Sequence, residues 1–171
     1  MKAILDFYGC KHLEDKFFHS PLATFSKIPN IPEEFQNKIY DGPQALTSAP
    51  MIVDGKPNLG DPRSAWLLVA LRDGTWAQRC VQDDDYARID AVTRFSSSFP
   101  PTCFVQGTND DFVPHRFAEA ADKRLRELGV KSQLVLVADQ PHGFDLWQQS
   151  RDNSLFQEYV MPGLKFLAEN V

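Results

Sequence analysis

Residues 103–115 read CFVQGTNDDFVPH. An apolar run follows Pro100-Pro101 and ends at Gly107, an acidic loop comes next, and Pro114 introduces a helical pattern. A short apolar run bounded by turn residues reads as a buried strand. Phe117, Ala121, Leu125 and Leu128 then recur at helical spacing, which predicts a helix over 115–128 stopped by Gly129. The next segment, SQLVLVAD at 132–139, repeats the strand pattern and runs into PHGFDLW at 141–147. Strand, loop, helix, strand is a βαβ unit, which implies parallel strands. Ligands of open parallel sheets sit at the carboxyl ends of the strands.

Two further segments extend the unit. KAILDFYG at 2–9 predicts a strand over 3–8. At the other end, Ser154 with Gln157 three residues on fits a capping box for a last helix. That helix has Leu155, Tyr159, Leu164 and Leu167 as apolar positions and an expected kink at Pro162-Gly163. The part between is less regular. Seven of the 12 prolines fall between Pro21 and Pro62, among scattered aromatic residues, and a long irregular stretch reads either as a lid over a site or as a surface excursion. Within it, Asp61 and Pro62 announce a helix that Gly74 ends, with Trp66, Leu67, Ala70 and Leu71 on its apolar face. A weaker helical pattern runs through 83–95.

At 171 residues the chain fits one domain, long enough to bury about two-thirds of its unfolded surface. A net charge of −5 without a basic cluster argues against nucleic acid. The longest apolar run, Ala65–Leu71, is too short for a bilayer, and Asp6 interrupts the N-terminal apolar residues too early for a signal peptide. Cys10, Cys80 and Cys103 are odd in number and widely spaced, which fits free thiols in a reducing, cytoplasmic setting. No phosphate-binding glycine motif is present. The cluster His12, Glu14, Asp15 and His19 matches no metal-ligand spacing, so neither a metal nor another cofactor is expected.

The pattern G-x-x-D-x-x-V-P at 107–114, with His-Gly-Phe after the next strand, resembles the C-terminal half of an α/β-hydrolase of the esterase, lipase and prolyl-oligopeptidase-like group. The resemblance implies that Asp110 orients His142 and that His142 takes the proton of a nucleophile. Asp111 sits at a neighbouring variable position. The implied fold is a truncated α/β-hydrolase: about three parallel strands flanked by helices, one domain over 1–171, with 20–99 as a proline-rich, cap-like insertion. The family's nucleophile elbow, G-x-S-x-G, is absent, because no glycine here has a serine two residues later. In the family's chain order that nucleophile precedes the first strand, so the resemblance places it ahead of Met1.

Cys10 follows a strand end on the expected edge and is read as lining the site, together with His12 and Phe144, rather than as a replacement nucleophile. The expected function is hydrolysis of an ester or amide bond in a small apolar or aromatic substrate. The alternatives are a non-catalytic remnant that binds a small molecule or a protein, and a fragment of a longer hydrolase. The missing half leaves strand 3–8 at an edge, which predicts a homodimer or a complex with a chain that completes the sheet.

Overall fold

The structure is a computed structural model that describes residues 1–41, 50–147 and 153–171. In chain order its regular elements are β1 (Ile4–Phe7), α1 (Glu33–Asn37), β2 (Ile52–Val53), β3 (Lys56–Pro57) and α2 (Pro62–Asp73). They continue with α3 (Trp76–Cys80), α4 (Tyr86–Ile89), β4 (Thr102–Gly107), α5 (Arg116–Glu127), β5 (Ser132–Val137) and α6 (Met161–Glu169). The chain divides into two compact units, one of Met1–Leu13 with Ala87–Val171 and the other of Glu14–Tyr86. Among the described residues no helix is long and apolar enough to cross a membrane.

The first unit is a mixed α/β layer structure. Its sheet has the order β1-β4-β5 and is parallel throughout, with Asp6 opposite Phe104 and Phe104 opposite Leu134. β4 is central and every one of its residues is buried, which explains the apolar run Cys103–Val105 at its middle. Side chains alternate across the sheet. Cys103 and Val105 join Val137, Phe144, Val160 and Phe166 on one face, while Phe104 joins Ala118, Ala121, Leu125 and Val130 on the other. α5 covers the Phe104 face through Phe117, Ala118, Ala121 and Leu125. It ends as expected at Gly129, which takes a φ of 77°. The N–H of Val130 reaches the Leu125 carbonyl at 3.0 Å and that of Gly129 the Arg126 carbonyl at 3.0 Å, the paired bonds of a Schellman stop.

The last helix departs from its sequence reading in two ways. Asn153, not Ser154, caps it, since the Asn153 side chain accepts the Leu155 N–H at 2.8 Å. A π-helical turn over Phe156–Val160 then precedes Pro162. A π turn holds an extra residue and slips the apolar stripe. The inward positions are therefore Val160, the last of the turn, and then Gly163 and Phe166, and Leu164 is left 40% exposed. Gly163 allows α6 to lie against the sheet, since a β-carbon there would come within 2.7 Å of a Leu5 methyl.

The second unit gathers much of the proline-rich stretch around α2. Asp61 accepts the Ser64 N–H at 2.9 Å and Gly74 stops the helix at a φ of 69°, as expected. The inward face is not the one read from sequence: Ala65, Leu68, Val69 and Ala70 are buried, whereas Trp66, Leu67 and Leu71 are partly exposed. The run is apolar on all sides, so periodicity cannot select a stripe. Phe18, Phe25 and Ile28 complete this core. Arg72 holds the loop beside it by donating to the carbonyls of Ile28 and Pro29 at 3.0 and 2.8 Å. Asp54 and Gly55, at φ 50° and 71°, form the two-residue turn of the β2–β3 hairpin.

Candidate active site

Asp110 follows β4 and His142 follows β5, and β4 and β5 are adjacent. Backbone bonds tie the two loops together. The Thr108 N–H donates to the Val137 carbonyl at 3.0 Å, and the Asn109 N–H to the Gln140 carbonyl at 3.1 Å. The Asp139 N–H adds a bond to Thr108 Oγ1 at 2.9 Å. The pair therefore sits on two strand ends that cannot drift apart independently.

The Asp110 carboxyl is fully buried and all of its near bonds are donated to it. Oδ1 accepts the N–H groups of Phe112 and Val113 at 2.9 and 2.8 Å. Oδ2 accepts Gln106 Nε2 at 2.7 Å and faces His142 Nδ1 at 2.9 Å. A carboxylate accepts only, so this geometry puts the neutral imidazole's proton on Nδ1. Nε2 is then the basic nitrogen, and among the described residues it has no hydrogen-bond partner. The His142 side chain is 29% exposed, against none for the acid that holds it.

Two aromatic rings flank the imidazole. Phe112 stacks on it at 5.1 Å and 22°, and Tyr8 meets it at 4.4 Å and 56°. The Tyr8 hydroxyl donates to Asp145 Oδ1 at 2.7 Å. Burial, and after it the Asp145 carboxylate, hold this phenol far above the usual tyrosine range, so it stays a donor.

The expected substrate-lining residues lie in separate places. Cys10 is exposed and lines a cleft with Asp6, Lys11, Phe95 and Phe104. His12 stacks on Phe117 of α5 at 5.9 Å. Phe144 corrects the sequence reading: it is 2% exposed within the core and presents its ring edge-on to Tyr8, so it supports the site rather than lining it. Asp111 is exposed, one position from the buried acid.

Several members of the site carry no sequence motif. Tyr8, Phe112, Gln106 and Asp145 become neighbours of the pair only through folding. Lys11 lies apart from the pair, in the Cys10 cleft. It is 3% exposed, ion-paired with Asp6 at 3.2 Å, and donates to the Gly9 carbonyl. Among the described residues no cluster of three His, Cys, Asp or Glu side chains could hold a metal ion.

The class defined by fold and site is thus a mixed α/β protein: a parallel three-stranded sheet flanked by helices, with an Asp–His pair at adjacent strand ends. No family model matches the chain. It is similar to a non-reducing polyketide synthase, mapC, of Penicillium brevicompactum, at 27% identity over 198 residues, 99% of this chain and 8% of that protein. Preu6 of Preussia isomera, also a non-reducing polyketide synthase, is 31% identical over 71% of this chain and 5% of its own length. A 5-methylorsellinic acid synthase of Aspergillus terreus is 24% identical over 99% of this chain and 8% of its own length. The chain thus spans less than a tenth of the length of these relatives. Among solved structures, esterase 2 of Thermogutta terrifontis phosphonylated by sarin aligns at 22% identity and a TM-score of 0.48, over 55% of this chain and 34% of that one. The native enzyme aligns at 23% and 0.44, over 63% and 35%.

Proposed function

We propose that the chain is the acid–base part of a hydrolase-type α/β unit that cleaves an acyl bond, an ester or amide, in a small apolar or aromatic substrate. Asp110 holds His142 in the Nδ1–H form, and Nε2 takes the proton of an attacking hydroxyl, thiol or water. The nucleophile comes from outside the described residues, and residues 20–99 form a cap-like insertion. The observation that carries this reading is the 2.9 Å contact between a fully buried carboxylate and an imidazole whose other nitrogen has no hydrogen-bond partner among the described residues. The relatives support an acyl substrate, since polyketides and 5-methylorsellinic acid are built from acyl units. The match to under a tenth of each relative supports a second reading, in which the chain is one piece of a longer hydrolase-type region. In both readings β1's outer edge takes a partner, either a second copy or a chain that completes the sheet.

The test is hydrolysis of p-nitrophenyl esters of short and aromatic acids by the wild type and by His142→Ala. His-dependent turnover, even slow and through water, supports the acid–base role. Equal rates for the two proteins leave the isolated chain without that activity and favour the second reading.

A further inference from the structure

We infer that Tyr8 is a positioning residue for His142: its ring and that of Phe112 form two jaws on the imidazole, and Asp145 locks the Tyr8 jaw in place. A histidine on a loop, held by one hydrogen bond through Nδ1, is still free to rock about that bond. The rings of Phe112 at 5.1 Å and Tyr8 at 4.4 Å remove that freedom and aim Nε2. The Tyr8 jaw is itself fixed at both ends. Its backbone N–H donates to the Val105 carbonyl of β4 at 3.0 Å, and its hydroxyl donates to Asp145 at 2.7 Å. Asp145 lies three residues after His142 in the 3₁₀ turn Phe144–Trp147, so the turn that follows the imidazole also carries the anchor of its clamp.

Tyr8 takes a φ of 42°, in the left-handed region that a side chain of this size rarely adopts. Such backbone persists where surrounding contacts over-determine it. Here the left-handed turn ends β1 and presents the phenol to the histidine instead of continuing the strand. The core beneath reinforces the placement, because Phe144 meets Tyr8 edge-on at 6.4 Å.

The inference builds on the acid–base reading of His142, but its test reads the imidazole directly and needs no substrate. The chain has 4 histidines, so long-range proton–nitrogen NMR spectra can resolve His142, assigned by its loss in His142→Ala. The wild type is expected to show a single Nδ1–H tautomer and a sharp Nδ1–H proton resonance. Tyr8→Leu and Asp145→Asn are expected to lose that sharp resonance and to mix the tautomers, while amide signals of β4 and α5 stay in place. Tyr8→Phe, which keeps the ring and drops the anchor, is expected to fall between. It also serves where Tyr8→Leu fails to fold. An unchanged Nδ1–H resonance and tautomer ratio in a folded Tyr8→Leu, or in both Tyr8→Phe and Asp145→Asn, overturns the inference. If the tautomer depends on Tyr8 but ester turnover is the same with and without His142, the positioning role stands and the hydrolase reading falls.

Discussion

The carbonyl oxygen of Gln140 lies 2.2 Å from where a β-carbon on Gly107 would be. The last residue of β4 must therefore be glycine for the loop after β5 to close over it. That close approach sets the Asn109 N–H to Gln140 carbonyl bond and brings Asp110 to His142. Gly107→Ala forces backbone, not a flexible side-chain tip, to move. Its expected cost is about 1–3 kcal/mol, as for other overpacked sites, with loss of the His142 Nδ1–H resonance. Urea denaturation and the NMR spectrum check the two effects. Full stability with an intact resonance would show that the loops re-seat without cost.

Asp110 is expected to matter more to stability than His142. Asp110→Ala strips acceptors from the N–H groups of Phe112 and Val113 and from Gln106, in a fully buried setting. Each buried donor left unmade costs roughly 1–3 kcal/mol. His142→Ala removes a partly exposed ring that makes one hydrogen bond, and leaves an acid still held by three donors. Thermal or urea unfolding of both variants should rank Asp110→Ala as the less stable by at least roughly 2 kcal/mol. The reverse order would mean that the acid loop is held mainly by packing on the imidazole.

The three thiols should separate by reactivity and by pH. Cys10 is exposed and is expected to take iodoacetamide first. Cys80 is exposed too, but partial desolvation raises its thiol above the ordinary range and slows it. Cys103 has no exposed surface, and burial, then the Asp122 and Asp6 carboxylates, push its thiol from 9.0 up to about 11. A raised folded value means that the neutral thiol is favoured in the native state. Its contribution is therefore complete below pH 9 and is lost as pH rises to about 11. The loss should reach roughly 2 kcal/mol. Unfolding measured from pH 8 to 11 should show this slope in the wild type and not in Cys103→Ala, and equal slopes would assign the alkaline loss elsewhere.

Among the described residues no serine hydroxyl is hydrogen-bonded to His142. A fluorophosphonate probe is expected to leave the isolated chain unlabelled. Stoichiometric labelling mapped to a serine would reveal a nucleophile assembled in some other conformation.

What is legible in the sequence comes from local pattern. β4 announces itself because a strand buried on both faces needs consecutive apolar residues. Asp110 and His142 stand out because each follows a strand end. Gly74 and Gly129 mark helix ends because left-handed residues favour glycine. The rest depends on partners distant in the chain. Tyr8 and Asp145 are 137 positions apart, and neither has a local signature for the other. Phe144 next to His142 reads like a substrate contact, and only the position of β5 and α6 turns it into the core. In α2 the apolar residues surround the helix, so its buried stripe is chosen by the packing partners around Phe25 and Ile28. At the last helix, one extra residue in a π turn moves the apolar face from Leu164 to Gly163 and Phe166. Asp54-Gly55 is the opposite case: a local hairpin signal that the reading of 21–62 as irregular passes over.

In the sheet order β1-β4-β5, β1 pairs with β4 on one side, and among the described residues no strand pairs on the other. Its inward bonds come from the N–H groups of Ile4 and Tyr8, which donate to the Pro101 and Val105 carbonyls at 2.9 and 3.0 Å. Alternation turns the N–H groups of Leu5 and Phe7 toward the open edge. Natural sheets blunt such edges with charge, but the single charged residue in Ile4–Phe7 is Asp6, and Lys11 already pairs with it at 3.2 Å. All four residues of β1 are only partly buried, so apolar surface accompanies the unpaired backbone. The chain is therefore expected to self-associate through this edge, as a two-fold pair that continues the sheet. Sedimentation velocity at micromolar concentration should give the mass of a dimer for the wild type and of a monomer for Ile4→Lys, with urea unfolding confirming that the variant is folded. A monomer for the wild type would mean that other parts of the chain cover the edge. A dimer that persists in folded Ile4→Lys would place the contact on a different surface.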